Sequence, residues 1–262
     1  MPLRLLSYHF VSRLVERMHG EIMQIQEAFR NLPQIAHLLR IGGIVALPTD
    51  TVYGIACSAK NSAALEKIWR LKGRDPTKPM AICLHKVDVI SYWCDTNHLP
   101  NGVLKALLPG PVTVLLPRRV DNDPLSPLLN PGASLVGVRV PDHGFVQSLI
   151  ALLSQSDVHD SAIGHPVVLT SANLSGDISA LTIQEFSSFW SSLDLIVDGG
   201  PIANACIDLG KTGSARDGST IVDLSAAHAK RYRIVRRGSA LKETVAILEQ
   251  GYGLRNIDSN NC

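Results

Sequence analysis

The sequence has no two cysteines spaced as CxxC and no two histidines spaced as HxxxH or HxH. Protein-built zinc sites use such spacings, so a zinc centre is not expected. The cysteines are Cys57, Cys83, Cys94, Cys206 and Cys262, an odd set of 5. Reduced, mostly buried thiols in a reducing compartment are expected, not a disulfide framework. No apolar run reaches the roughly 18–20 residues of a membrane span. Charge of one sign is also in short supply, with a net of +2. Nucleic-acid binding through a broad basic surface usually needs more, which leaves room only for a local basic pocket.

Several catalytic signatures are missing as well. "GKT" at 210–212 looks like the tail of a P-loop, but the glycine required five residues earlier is Ala205. No GxGxxG follows a strand pattern, and no kinase HRD or DFG set occurs. Ser171 lacks a GxSxG elbow and an evident histidine partner, which argues against a serine hydrolase.

What is present is a chain of 262 residues, 45% hydrophobic and 18% charged. That suits a folded protein with a sizeable core. Apolar, β-branched runs predict strands at 43–48, 80–85, 112–117, 135–140, 166–171, 193–198, 219–224 and 232–237. Several lack polar alternation, so both sheet faces should be covered. Helical patterns fall between them. "NSAALEKIWRLKG" opens on cap residues Asn61 and Ser62, places Leu65, Ile68 and Trp69 on one stripe and stops at Gly73. "NGVLKALLPG", "HGFVQSLIALLSQ" and "ALKETVAILEQGYG" read likewise, the last with Leu241, Val245 and Leu248 on one face. The segment 201–218 reads as a loop. No linker splits the chain, so one α/β domain is expected.

Polar residues gather at strand ends: Thr49, Asp50, Thr51 and Tyr53 after the first strand, Ser171 and Asn173 in "LTSANLSG", and Asp198 before Gly199 and Gly200. Open α/β sheets bind ligands beyond strand ends. Each cluster alone also suits an ordinary cap or turn. "RLKGRDPTKPM" (70–80) sets Arg70, Lys72, Arg74 and Lys78 against one acid, Asp75. Pro76 and Pro79 stiffen it. Cations on a stiff turn suit a triphosphate, and equally a solvated helix end favoured by the helix dipole.

"PTDTVYG", "LKGRDPTKP", "LLPGPVTVLLP", "GVRVPDH", "LTSANLSG", "GSTIVDL" and "VRRG" occur in that order. The set resembles the YrdC family over roughly residues 34–253. The resemblance divides the chain into an N-terminal extension (1–33), a YrdC-like domain (34–253) and a C-terminal tail (254–262), as in the short, single-domain form of the family. It implies a twisted α/β sheet with a positively charged concave surface. It also implies a reaction: L-threonine, bicarbonate and ATP give L-threonylcarbamoyl-adenylate and pyrophosphate. A downstream tRNA threonylcarbamoyltransferase complex then modifies the adenosine beside the anticodon, and tRNA itself is a further candidate partner. Mg²⁺ is expected with ATP, without a dedicated carboxylate cage.

By the same resemblance, Lys72 and Arg74 match the family's basic pair, and Ser171 and Asn173 its SxN pair; these four are the catalytic candidates. Lys72, Arg74 and Lys78 are assigned to the ATP phosphates, with Asn173, Ser219 and Arg236 completing the nucleotide set. Thr51, Cys83, Arg139 and Ser171 are assigned to L-threonine, with Arg139 facing its carboxylate. Many relatives carry histidine where Cys83 stands, and "RPG" where this chain has "RRG" at 236–238. The alternatives are a carbamoyltransferase-related protein, whose CxxC signatures are absent, and a non-catalytic RNA binder. Residues 1–15 contain no acid and carry Arg4 and Arg13 among Leu, Phe and Val. That reads either as a mitochondrial presequence or as a ragged helix, with Met18 and Met23 as alternative starts. A cytoplasmic protein with a mitochondrial pool is expected.

Overall fold

The structure is a computed structural model that describes residues 20–73, 79–119, 123, 125–155, 163–174, 176–202 and 216–260. The first half runs β1 (Glu21–Gln24), α1 (Ile25–Arg30), α2 (Leu32–Arg40), β2 (Val45–Leu47), β3 (Gly54–Ser58), α3 (Ser62–Leu71), β4 (Ala81–Cys83), α4 (Ile90–Trp93) and α5 (Val103–Leu107). It continues with β5 (Val112–Pro117), β6 (Leu135–Arg139), α6 (Gly144–Gln155), β7 (Val167–Ser171) and β8 (Leu195–Asp198). The chain then adds β9 (Thr220–Asp223), β10 (Arg231–Arg236), α7 (Leu241–Ala246) and β11 (Arg255–Asn256). The eleven strands of the described residues join one mixed sheet in the order β1-β8-β2-β3-β7-β4-β6-β5-β9-β10-β11. The expected α/β class and single layered domain are what the chain adopts.

Both faces of the sheet are covered at its centre. Ala46, Ile55, Cys57, Ile82, Val138, Val168 and Ile196 belong to one buried cluster. Their sequence neighbours Val45, Leu47, Ala56, Cys83, Val167, Leu195 and Val197 belong to a second. The period of two sends alternate residues to opposite faces. The second face is roofed by α2 and α6, through Ile35, Leu38, Leu39, Phe145, Leu149 and Ile150. Beyond that roof the same face opens into a cavity.

Helix α3 ends at that cavity's rear. Asn61 Oδ1 accepts from the Ala64 amide at 3.0 Å, an N-cap worth about 1 kcal/mol. Ala64, Leu65 and Ile68 are buried on one stripe. The helix stops at Lys72, followed by Gly73 in the left-handed region at φ 51°.

Three strands differ from the sequence expectation. β3 pairs antiparallel with β2, so "PTDTVYG" is the connection of a tight strand pair and not only the end of a strand. β1 pairs with β8, and helices α1 and α2 follow it directly. The expected N-terminal extension to residue 33 is therefore built into the sheet from Glu21 onward. At the other end, β11 pairs with β10, so the expected tail from 254 also contributes a strand. Near the C-terminus the buried stripe is Thr244 and Leu248, with Leu241 and Val245 only partly covered. The central part of the expected 201–218 loop lies outside the described residues. Among the described residues no helix is long and apolar enough to cross a membrane.

Candidate active site

The cavity has a volume of about 140 Å³. Its floor is the open end of the second sheet face: Gly54, Ala81, Thr113, Leu169 and Ile221 line it from adjoining strands. Small residues keep that floor low. A Cβ at Gly137 would lie 3.1 Å from Thr113 Cγ2 and 3.2 Å from Ala81 Cβ. The walls carry Thr51, Cys83, Arg139, Ser171, Ser219 and Arg236. The fold thus gathers these sequence-predicted residues, and strand pairing is the cause. Gly54 is register partner to Ser171, Cys83 to Arg139, and Ile221 to Arg236.

The "PTDTVYG" connection is tied internally. Thr49 Oγ1 donates to the Val52 carbonyl at 2.7 Å and accepts from the Thr51 and Val52 amides at 3.1 and 3.2 Å. Thr51 Oγ1 accepts from Arg139 Nη2 at 3.0 Å. The same Nη2 donates to Asp50 Oδ1, and Asp50 Oδ2 accepts from the Asp142 amide at 3.0 Å. Arg139 Nε–H is buried and has no partner among the described residues.

Tyr53 is a strut. Its amide donates to the Ala180 carbonyl at 2.9 Å, and its carbonyl accepts from the Ala172 amide at 2.8 Å. Its hydroxyl donates to the Gly200 carbonyl at 2.7 Å and accepts from the Gly199 amide at 3.0 Å. Burial, with Asp198 nearby, pushes the phenol up to about 12, so it stays neutral. Asp198 is accordingly a support for this turn, bonding the Gly200 amide at 2.8 Å, and does not line the cavity.

Lys72 lies behind the Ser171 wall and is buried. Its ammonium donates to the Ser171 carbonyl at 2.6 Å and to the Asn173 carbonyl. Asn173 Nδ2 closes its own turn on the Leu174 and Asp177 carbonyls at 2.9 and 2.7 Å. Its Oδ1 is buried without a partner among the described residues. Lys72 and Asn173 therefore stand beside the cavity and not on its wall. Arg74 and Lys78 lie outside the described residues.

On the opposite wall, Thr113 and Ser219 hydroxyls meet at 2.7 Å. Arg236 donates to the Ser219 carbonyl from Nη2 at 2.7 Å and from Nε at 3.1 Å, and to Ser219 Oγ at 3.1 Å. Although the residue as a whole is exposed, partial burial of its guanidinium end lowers its proton affinity, as does the charge of Arg139, against the pull of Asp217. Two guanidiniums thus share one small cavity. Cys83 adds no charge: burial pushes its thiol up to about 12, and it serves as wall. Sequence reasoning missed Thr113, hidden in the apolar run "VTVLLP", and gave Asp50 no part beyond a turn.

Gly238 holds this wall together. A Cβ there would lie 2.4 Å from the Gly218 carbonyl oxygen and 2.4 Å from the Thr220 amide nitrogen. Backbone cannot give by that much, so Gly238→Ala should cost at least about 2 kcal/mol, in the range of overpacked sites. The check is a thermal melt against wild type. An unshifted midpoint would contradict the close approach.

The Sua5/YciO/YrdC family model, described as "telomere recombination", matches residues 37–238. The chain belongs to the Sua5/YciO/YrdC family. Threonylcarbamoyl-AMP synthase of Homo sapiens is 45% identical over 216 residues, covering 82% of this chain and 70% of that protein. The Bos taurus protein of the same name is 46% identical over the same shares. Among solved structures, P. abyssi Sua5 complexed with L-threonine superposes with a TM-score of 0.68 at 23% identity, covering 90% of this chain. This chain spans 62% of that longer chain. E. coli YciO superposes at 0.63 with 21% identity, covering 80% of this chain and 89% of that one. These two likenesses speak for the fold, a Sua5/YciO/YrdC sheet.

Proposed function

We propose that this protein is a threonylcarbamoyl-AMP synthase that joins L-threonine, bicarbonate and ATP. The observation that carries the reading is Arg139: a cation on the cavity wall with a buried Nε–H that has no partner among the described residues. Such a group is costly unless a ligand oxygen completes it, and a carboxylate is the natural complement. The chain that carries it is 45% identical to a relative named for this activity.

In this reading the threonine amine and bicarbonate give an N-carboxylate and water. A carboxylate oxygen then attacks the α-phosphorus of ATP, and pyrophosphate leaves. No covalent enzyme intermediate forms, so positioning and charge stabilisation carry the rate. Arg139 and Thr51 hold the amino acid, with Cys83 as neutral wall. Ser171 faces the carbamate. Ser219 and Arg236 take the nucleotide side, and Arg74 and Lys78 the phosphates. Lys72 contributes by fixing the Ser171–Asn173 turn and by its charge. Among the described residues no three His, Cys, Asp or Glu side chains gather as a metal site. Asp50 is already engaged by Arg139 and the Asp142 amide. Mg²⁺ is therefore proposed to arrive on the ATP phosphates and not in a protein cage. The adenylate is an activated acyl donor whose proposed consumer is a tRNA-modifying complex. A cytoplasmic enzyme with a mitochondrial pool remains our reading of residues 1–15, to be checked by fractionation of tagged protein.

The test is pyrophosphate release from ATP and Mg²⁺, with and without L-threonine and bicarbonate. Release that needs both, with the mass of the adenylate, is the expected result. Release independent of threonine, or none from folded protein, would move the reading to a carbamoyltransferase or an RNA binder. Thr51→Ala should raise the KM for threonine by roughly tenfold, the scale of one lost hydrogen bond, and leave that for ATP nearly unchanged. Equal changes in both would sink the Thr51 assignment.

A further inference from the structure

Asp50 stands in the middle of the "PTDTVYG" connection with its side chain only 9% exposed. Both carboxylate oxygens are engaged: Oδ1 by Arg139 Nη2, and Oδ2 by the Asp142 amide at 3.0 Å. Arg139 Nη2 is shared further with Thr51 Oγ1 at 3.0 Å. One end of the guanidinium is thus fixed on two partners from the same turn. Its Nε–H remains, buried and without a partner among the described residues, on a side chain that lines the cavity.

We infer that Asp50 is a positioning residue: it locks the Arg139 guanidinium so that Nε–H is presented to the carboxylate of the substrate. This rests on the proposed reading of Arg139 as the carboxylate site. An arginine has many rotamers, and a held fork binds a carboxylate without losing that freedom at the moment of binding. Asp50 also sets the charge of the site. Arg139 and Arg236 share the cavity, and the Asp50 carboxylate offsets one of them. The Asp142 amide holds Asp50 in turn, so the clamp is anchored on the strand-to-helix connection that follows Arg139 in the chain. Asp50 moves no proton in this scheme; its carboxylate serves as acceptor and counter-charge to Arg139.

The test compares Asp50→Asn, Arg139→Lys and the double variant in the pyrophosphate assay, with a thermal melt of each. Asp50→Asn keeps the shape and one acceptor oxygen and removes the charge. It should raise the KM for threonine about tenfold, as loss of a charge-assisted contact does, and hold the KM for ATP within about twofold. In the double variant it should add less than about twofold to Arg139→Lys, because it acts through that residue. Uniform loss in kcat and both KM values, or fully multiplicative effects, would make Asp50 a structural clamp and overturn the inference. If Asp50→Asn does not fold, Asp50→Glu gives the same split by displacing the charge one methylene. Threonine-dependent wild-type turnover with an unmoved Asp50→Asn overturns this inference alone. No threonine dependence in the wild type overturns the proposed function together with it.

Discussion

Lys72→Ala should lower threonine- and bicarbonate-dependent pyrophosphate release by about a hundredfold or more, the scale on which small misplacements near a reacting centre act. The cause is the turn at the SxN pair. Lys72 is 3% exposed, and its ammonium binds the Ser171 and Asn173 carbonyls. Those carbonyls flank Ala172, whose amide is bonded to Tyr53. One cation therefore couples the end of α3 to β7 and, through Tyr53, to the "PTDTVYG" connection. Alanine removes the donor and leaves the carbonyls short of a partner, at about 1–3 kcal/mol for each that stays dry. Lys72→Met separates the two contributions, since it keeps an unbranched stem of similar packing. Met and Ala should be equally inactive, with Met the more stable of the two. Near-normal turnover in a folded Lys72→Met protein would show that the ammonium is dispensable.

The strands predicted from apolar runs all recur in the structure, with ends shifted by a residue or two. Hydrophobic continuity is strong where both faces are buried, as in "VTVLLP" and "LVGVR". β3 was illegible for the opposite reason. "GIACS" is short, and Gly, Ala, Cys and Ser have weak strand preference, yet every residue is buried. Tertiary pairing with β2 and β7 makes it a strand. Cys83, Arg139, Ser171, Ser219 and Arg236 were readable because each falls at or beside the end of a strand with an apolar run. Their partners were not. The Arg139 to Asp50 pair spans 89 positions in the chain, and only the sheet order brings it together. A lysine in "RLKGRDP" reads as a phosphate ligand from its neighbours. That its ammonium is turned onto two carbonyls depends on where α3 ends against β7. Local chemistry is written in local sequence, whereas the use made of a charge is set by distant backbone.

Arg139→Ala is the substitution expected to do most damage to both stability and function. The pair it breaks is 9% exposed on each side. Removing one member of a buried ion pair leaves the other charge uncompensated, at about 3–5 kcal/mol. For a chain of this size, roughly 2–4 °C accompanies each kcal/mol, so the thermal midpoint should fall by roughly 6–20 °C. Because the pair is shielded from solvent, the fall should persist in high salt, where an exposed pair would be screened. Turnover should be lost through threonine: saturation with the amino acid becomes unattainable, while ATP binding survives in protein kept below its lowered midpoint. Arg139→Lys keeps the positive charge and loses the planar fork. It should recover most of the stability and little of the threonine affinity. That split is the discriminating result. If Arg139→Lys restores threonine use as fully as it restores the midpoint, the Nε–H contact is not what recognises the carboxylate, and Arg139 is there to hold the turn.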